Sequence, residues 1–508
     1  MFVAGAMLLP PAYLILSAIR SGNDLFSVFT SMDTTRVIVN TVVLMVLVSS
    51  GSVVIALPIG WLTIRTDLPF RKIWSVLTIL PLVIPSYVGG FIVITALGPK
   101  GILQGLLSSF GVERLPEIYG LHGAVLTLTL LSFPYVLLPI RASLYKMDPS
   151  IEETSNILGV GSWRTFLRII LPMLRPSLVV GSLIVALYTL SDFGAVSMLQ
   201  YETFTWSIYV EYESSFDRAR AAALAIILVA IAVILLWIEA RARNLSRYYT
   251  SGSGSARQLK RHRLKLWKWP SLILCSIVVW ASLLMPLFVL IYWTSKVISK
   301  EGLVNILFAI TINSIYVSIL AATFATLAGL FVAIFAVRYP SKISALFERV
   351  AYTSFALPGI VVALALVYFG INYVRPIYQT IVILVFAYVV LFLPLVVGPV
   401  RNSLLQLNPR LEEAAKGLGN GNVKVIRSIT LPLIRGGVFA GASLVFLLSM
   451  KELPATLILG PIGFGTLATY IWSATEEAFF GLAAIGSLIL IIGSAIPITF
   501  LTLRGERL

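Results

Sequence analysis

The sequence contains very little of what catalytic and metal-binding proteins commonly use. Among 508 residues there is one cysteine, Cys275, and there are two histidines, His122 and His262. An intramolecular disulfide and a His/Cys metal cluster within one chain are therefore excluded, and Cys275 is expected to be an apolar packing residue. No segment matches G-x-x-x-x-G-K-[ST], so the phosphate-binding loop typical of ATPases is missing. We expect no catalytic residue, no metal site and no cofactor bound by this chain.

Charged residues are also scarce, at 12%, whereas hydrophobic residues make up 58% of the chain and the mean hydropathy is +0.95. This composition is typical of an all-α polytopic membrane protein. Apolar stretches of about 20 residues, enough to cross the roughly 30 Å hydrocarbon layer as a helix, recur from end to end. A soluble protein with buried core helices would explain one such stretch, but not twelve. The twelve predicted spans are residues 2–19, 38–63, 73–97, 122–142, 177–199, 221–240, 271–294, 305–336, 348–370, 377–400, 437–459 and 480–502.

The N-terminal segment is predicted to be the first span. It lacks the basic leader and the small-residue cleavage site of a signal peptide. Because the chain begins almost inside the membrane, either its cytoplasmic tail is minimal or the natural start lies upstream.

Lys and Arg concentrate in alternate loops, as the positive-inside rule predicts for the cytoplasmic side. We therefore expect a multi-pass protein of the bacterial inner (plasma) membrane with both termini in the cytoplasm. The net charge of +16 then reflects topology and not nucleic-acid binding. The opposite loops carry acids that either bind an external receptor or are simply solvated: Glu202, Glu211, Glu213, Asp217, Glu476 and Glu477.

Residues 241–269 are predicted to be a cytoplasmic linker between two six-span units, residues 1–240 and 270–508. The linker combines a flexible Ser/Gly centre with a basic flank, and it closes with Trp267 and Trp269 at the membrane interface. Its basic run is expected either to meet anionic lipid headgroups or to dock on a partner.

The two units are copies of each other. At an offset of 273 residues Arg65 aligns with Arg338 and Pro85 with Pro358, whereas beyond an external loop near residue 100 the offset becomes 260 and Pro134 meets Pro394. Each unit has an even number of spans, so both copies enter the membrane in the same orientation. The sequence therefore predicts two parallel six-helix repeats with a central pathway between them.

The longest cytoplasmic loop of each half carries the most informative motif. We call residues 148–172 the first repeated loop and residues 408–432 the second repeated loop. Asp148 or Asn408 before a proline is an N-cap signal, and Gly159 or Gly419 is expected to end the short helix that follows. The small pairs Thr154–Ser155 and Ala414–Ala415 are expected to leave a face that another protein can approach closely.

These loops resemble the permease subunits of binding-protein-dependent ABC importers, whose motif reads E-A-A, three residues, G, nine residues, I, one residue, L-P. The second copy fits through Glu413, Ala414, Ala415, Gly419, Ile429, Leu431 and Pro432. The first copy fits through Glu153, Gly159, Ile169, Leu171 and Pro172, and it departs at Thr154 and Ser155. The resemblance implies a type I importer permease fold in which each loop forms a helix that docks on an ATPase subunit. The residues expected to couple to the ATPase are Glu152, Glu153, Thr154, Ser155, Gly159, Leu171, Pro172, Glu412, Glu413, Ala414, Ala415, Gly419, Leu431 and Pro432.

The segments "SDFGAVSML" and "KELPATLIL" resemble the fused iron(III) permeases, although thiamine and polyamine permeases share the general layout. The resemblance implies two copies of an ABC ATPase that bind ATP and Mg, and an external solute-binding protein. Two alternatives of other classes are an ion-coupled secondary transporter, which would not explain the matched loops, and an intramembrane enzyme, which would need convergent His, Asp or Ser groups.

Three charged residues are predicted to lie inside the spans. Asp192 and Glu452 align at the offset of 260, and Lys451 precedes the second of them. Charges at that depth are costly to expose to lipid, so they either line the external end of the pathway or serve helix pairing or the outer interface.

Overall fold

The structure is a computed structural model, in which the described residues form helices, turns and one isolated β-bridge. The all-α prediction is confirmed for this part of the chain. The described residues are 5, 7–13, 16, 31–147, 154, 155, 157–215, 218–245, 262–297, 302–353 and 357–505.

Long apolar helices alternate with short ones in both halves of the chain. The helices of the first half are α1 (Met32–Arg65), α2 (Arg71–Leu77), α3 (Ser86–Leu97), α4 (Ile102–Leu107), α5 (Leu121–Lys146), α6 (Ser162–Thr165), α7 (Leu171–Ser191), α8 (Gly194–Met198), α9 (Phe204–Glu213) and α10 (Arg218–Leu245). Those of the second half are α11 (Lys268–Val279), α12 (Met285–Ser295), α13 (Leu303–Arg338), α14 (Lys342–Thr353), α15 (Gly359–Tyr373), α16 (Ile381–Phe392), α17 (Pro394–Gln406), α18 (Pro409–Gly417), α19 (Asn422–Val425), α20 (Leu431–Lys451), α21 (Pro454–Leu459), α22 (Leu467–Glu476) and α23 (Phe480–Gly505). Single π-helical turns are Phe166–Ile170, Trp280–Leu284 and Ile426–Thr430.

Within the described residues, eight helical stretches are long and apolar enough to cross a membrane. The pair α16 and α17, bent by 49°, forms a ninth candidate, and α15 and Phe480–Ala495 are shorter apolar helices. Together they fall on every predicted span except residues 2–19, of which only half are described. The chain is a polytopic membrane protein.

Prolines interrupt the helix in two of the predicted spans. Residues 73–97 and 348–370 break before Pro85 and Pro358, which become the N-caps of α3 and α15. Proline lacks an N–H group and disfavours helical geometry in the residue before it. Ile84 is accordingly extended, with φ −77° and ψ 121°. The apolar pattern extended across these breaks, and the prediction of unbroken spans was wrong there.

The same close helix crossing occurs in both repeats. A Cβ atom at Gly181 would lie 2.8 Å from the Cα of Val136, and one at Gly441 would lie 2.8 Å from the Cα of Val396. Small residues of this kind let membrane helices approach to backbone contact. The sequence repeat is therefore also a repeat of packing.

The chain forms two compact units whose bounds differ from the predicted repeat boundaries. The first unit comprises Phe29–Val210 and Ile227–Tyr292, and the second comprises Met1–Val28, Glu211–Ile226 and Trp293–Leu508. In the first unit Cys275 is buried against Leu62 and Leu68, which confirms its packing role. In the second unit the rings of Tyr13 and Tyr368 lie 4.8 Å apart. The repeat boundaries at 240 and 270 remain a prediction.

Candidate functional site

The second repeated loop begins with the predicted cap. The side chain of Asn408 accepts a hydrogen bond of 3.1 Å from the backbone N–H of Arg410, at the start of α18. Pro409 occupies the first helical turn, where a missing N–H costs nothing. The first loop's counterpart, Asp148, lies outside the described residues, as do Glu152 and Glu153.

Both loop helices end on a glycine in the left-handed conformation. Gly419 has φ +79° and Gly159 has φ +74°. The N–H of Asn420 donates to the carbonyl oxygen of Ala415 at 3.3 Å, and the N–H of Val160 donates to that of Ser155 at 3.0 Å. This i to i−5 bond is the Schellman ending that glycine permits. The predicted helix ends are confirmed in both copies.

Glu412 faces the interior of its loop. Its carboxylate pairs with the Arg338 guanidinium through contacts of 2.8 Å to Nε and 3.2 Å to Nη2. The Thr430 hydroxyl donates a third hydrogen bond of 2.8 Å to the same carboxylate. The Nη2 contact is a charge-assisted hydrogen bond, and the Nε contact brings the two charges close together. Glu412 was expected to couple to an ATPase, but within the chain it joins α13, α18 and the π-turn before α20.

The small pair at the centre of each motif is exposed on one side only. Ala414 and Thr154 are exposed, whereas Ala415 and Ser155 are 6% and 3% exposed and face into their loops. Each pair thus has one exposed member, and the expected docking face remains a prediction. Successive side chains of a helix point in different directions, so a short helix packed on one side does not expose both equally.

Apolar side chains nevertheless project from both loops. Leu158 is 74% exposed and Leu418 is 83% exposed, and these two positions are equivalent in the repeat. Ile157, at 85%, and Val423, at 80%, extend the apolar surface in the first and second loop respectively. Clustered exposed apolar residues on an otherwise polar loop indicate a surface that contacts another protein. The prediction based on the Glu and Ala positions of the motif did not include these residues.

The end of each motif joins the loop rigidly to a long helix. Leu171 and Pro172 open α7, and Leu431 and Pro432 open α20, in each case directly after a π-helical turn. Both prolines lie inside continuous helical segments, where a missing N–H removes one backbone hydrogen bond. Each repeated loop therefore runs directly into a membrane helix.

A cavity of about 160 Å³ lies between α18 and the end of α13. Ile334 and Ile426 form apolar parts of its wall, and Glu413 and Lys416 lie at its polar side. Glu413 is exposed, in contrast to its neighbour Glu412.

Asp192 and Glu452 lie at helix breaks and not within helices. Each is the C-cap of the preceding long helix, α7 or α20. The Asp192 carboxylate accepts the N–H of Ala195 at 3.0 Å, and that of Glu452 accepts the N–H of Ala455 at 3.2 Å. Both acids therefore support the first turn of a short helix, α8 or α21. Lys451 is the half-buried last residue of α20.

The residues opposite these acids compensate for the difference in side-chain length. Ser86 hydrogen-bonds with Asp192, whereas its repeat counterpart, Gly359, leaves room for the longer Glu452. A Cβ atom at Gly359 would collide with the Oε1 atom of Glu452. The first half thus pairs the shorter acid with serine, and the second half pairs the longer acid with glycine.

The external acids are partly paired within the chain. Glu202 lies 3.9 Å from Arg36, and Glu211 lies 3.1 Å from Arg220. Asp217 lies outside the described residues.

The linker ends in a specific contact with the first unit. The Asp67 carboxylate accepts the N–H of Leu264 at 2.8 Å and lies 3.2 Å from the Lys268 ammonium. The N–H of Leu264, followed by the charge of Lys268, lowers the pKa of the Asp67 carboxyl. His262 adds a backbone pairing with Thr66 and stacks on Trp61 at 5.7 Å. Sequence reasoning considered only lipid or a partner protein for this segment, and it missed the contact because Asp67 lies far away in the chain.

The sequence matches the family described as "Binding-protein-dependent transport system inner membrane component" over residues 52–243 and 325–504. The chain belongs to this family. The two matched regions coincide with the two repeats, and each contains one repeated loop. Membership of this family makes the chain a multi-pass transport permease and implies partners of two general kinds, an ATPase and a solute-binding protein.

The permease is similar to several curated proteins. It is 34% identical over 471 residues, covering 91% of this chain and 88% of the relative, to the Fe(3+)-transport system permease protein FbpB 2 of Haemophilus influenzae. It is 26% identical to the ferric transport system permease protein FbpB of Actinobacillus pleuropneumoniae, covering 93% of this chain and 71% of the relative. The molybdenum transport system permease protein ModB of Escherichia coli is 33% identical over 30% of this chain and 68% of its own length.

Proposed function

We propose that this permease forms the translocation pathway of an ATP-driven importer for ferric iron. The observation that carries the proposal is the likeness, over nine-tenths of the chain, to a permease named for Fe(3+) transport. The matched pair of repeated loops adds a physical reason for ATP dependence, because each loop presents an exposed leucine on a short, rigidly capped helix. An ion-coupled transporter would have no use for such a pair.

Each repeated loop receives one copy of an ABC ATPase subunit. Leu158 and Leu418 supply the apolar contact, and the exposed Glu413 supplies charge at the same surface of the second loop. ATP and Mg are bound by the ATPase subunits, and this chain binds no cofactor and carries no ATP site. ATP binding draws the two subunits together, and the loops pass that movement to α7 and α20.

The concentration of basic residues in alternate loops supports a cytoplasmic position for both repeated loops and both termini, with the protein in the bacterial inner membrane. The external binding protein then meets the face that carries Glu202, Glu213, Glu476 and Glu477. Since the receptor selects the cargo, the pathway needs no tight metal site of its own.

Asp192, Lys451 and Glu452 are placed near the external gate of the pathway. The acids support the breaks between α7 and α8 and between α20 and α21, and a break is where a helix can bend when the pathway opens. The pathway then alternates between inward-open and outward-open states. ATP binding on the cytoplasmic side and the binding protein on the external side shift the balance between them.

The test is uptake of radiolabelled ferric iron and of radiolabelled thiamine by cells that express this chain with its ATPase and binding protein. We expect iron uptake, and we expect it to cease when the phosphate-loop lysine of the ATPase is replaced. Preference for thiamine would overturn the cargo assignment, and uptake that survives the ATPase substitution would overturn ATP dependence.

A further inference from the structure

The ion pair of Arg338 and Glu412 ties together three elements of the second repeat. Arg338 ends α13, Glu412 lies in the first turn of α18, and Thr430 ends the π-turn that leads into α20. The two charged side chains are only 14% and 12% exposed. Removing one partner of a largely buried arginine–carboxylate pair is costly, because the other charge is then left buried and uncompensated.

The described part of the first repeat shows an aromatic contact between the corresponding elements. Trp61 of α1 and Phe166, which opens the π-turn within the first repeated loop, meet edge to face with ring centroids 5.1 Å apart. Their counterparts in the second repeat are Ile334 and Ile426, which are smaller and border the cavity of about 160 Å³. A cavity deprives the residues around it of packing contacts. An aromatic contact therefore connects the first repeated loop to α1, whereas smaller side chains border a cavity at the equivalent place in the second repeat.

We propose that the Arg338–Glu412 pair is the positioning contact through which movement of α18 reaches α13 and α20. This inference rests on the proposed function, in which α18 docks on an ATPase subunit. Glu412 does not touch the ATPase in this role. It keeps the docked helix engaged with the membrane helices across a region where packing is loose.

The neighbouring glutamates therefore have different tasks. Glu413 is exposed beside Ala414 on the docking surface, whereas Glu412 is buried on the opposite side of α18. Loss of Glu413 should weaken retention of the ATPase subunit. Loss of Glu412 should leave the ATPase bound and hydrolysing, but should reduce the solute moved per ATP.

The experiment compares Glu412→Gln with Glu413→Gln in the full complex reconstituted in proteoliposomes with its ATPase and binding protein. Retained ATPase, the rate of ATP hydrolysis and import of radiolabelled ferric iron are measured on the same preparations. For Glu412→Gln we expect normal retention and an iron-to-ATP ratio reduced about two- to thirtyfold, the range found for residues that carry coupling. Glu117→Gln is the matched control, because Glu117 pairs with Arg114 at 2.9 Å on an exposed surface. It should change nothing.

Two sets of compensating substitutions distinguish a role in passing movement from α18 to the membrane helices from a general loss of stability. Arg338→Glu or Glu412→Arg alone should lower the iron-to-ATP ratio. The two together restore an ion pair with reversed charges and should recover part of that loss. Ile334→Trp with Ile426→Phe recreates the aromatic contact of the first repeat, and we expect it to restore coupling in the Glu412→Gln background. A purely structural role for the pair would not predict recovery of the iron-to-ATP ratio by filling the cavity.

A Glu412→Gln variant with an unchanged iron-to-ATP ratio would overturn the inference, as would one that loses the ATPase as Glu413→Gln does. If Glu412→Gln fails to insert, Thr430→Val removes one donor to the carboxylate with little change of shape. An unchanged ratio in that variant would then overturn the inference, and a reduced ratio would support it. An unmodified chain that retained no ATPase would instead contradict the proposed function.

Discussion

The hydroxyl groups of Ser155 and Thr165 lie 2.7 Å apart inside the first repeated loop, where the second loop carries Ala415 and Val425. All four residues are buried. One loop thus has a hydrogen-bonded pair where the other has two buried apolar residues of similar size. The departure of the first copy from the family motif is therefore compensated within the loop.

Ser155→Ala alone should destabilise the first repeated loop by about 1–3 kcal/mol, because it removes the best-placed partner of the buried Thr165 hydroxyl. Ser155→Ala with Thr165→Val reproduces the second loop's pair and should recover most of that loss. Thermal unfolding of the purified variants, arranged as a double-mutant cycle, measures the coupling. Additive effects of the two changes would show that the hydrogen bond does not link them.

Asp67→Asn should loosen the end of the linker, because the amide cannot pair with Lys268 as a charge. Faster hydrogen exchange is expected at the N–H groups of His262 and Leu264. The pKa of Asp67 is lowered by folding, so its contribution is fully present above the ordinary value of about 4 and is lost as the pH falls through the lowered pKa. Asp67 therefore stays charged between about pH 5 and 8, and its contact should protect these N–H groups equally across that range in the unmodified chain. Unchanged exchange in Asp67→Asn would exclude the contact in solution.

Gly359→Ala should impair assembly or uptake, since the added Cβ meets the Glu452 carboxylate. The combination Gly359→Ser with Glu452→Asp recreates the Ser86 and Asp192 pair of the first repeat, and we expect it to be better tolerated than Gly359→Ser alone. The yield of the assembled complex and iron uptake are the readouts. If the double variant loses as much yield and uptake as Gly359→Ser alone, the two positions do not compensate for each other.

Asp192→Asn and Glu452→Gln test the placement of these acids at the external gate. Each amide retains an oxygen that can accept the backbone N–H of the short helix, so assembly should survive. Uptake should fall in both variants, and more in the double variant. Normal uptake with both acids replaced would remove them from the pathway.

Local signals in the sequence were enough to predict the repeated loops. Asn408 before a proline and glycine at 159 and 419 specify caps that depend on a few neighbouring residues, and the structure has them. The breaks at Pro85 and Pro358 were missed because hydropathy averages over a window and does not register a single missing N–H group. Arg338 was interpreted as part of the topological charge. Its partner Glu412 lies 74 residues away, and only the fold brings the two together.

Retention of the ATPase subunit by a Leu158→Glu, Leu418→Glu double variant tests most directly whether the repeated loops couple this permease to ATP hydrolysis. Two charges on the exposed apolar surface should reduce the ATPase that copurifies by about tenfold or more, the effect expected for central interface residues, and iron uptake should fall with it. Phe110→Glu, at an 84% exposed position outside both loops, is the matched control and should retain the ATPase. A correctly inserted double variant that keeps the ATPase at normal stoichiometry and imports iron at the normal rate would contradict the account.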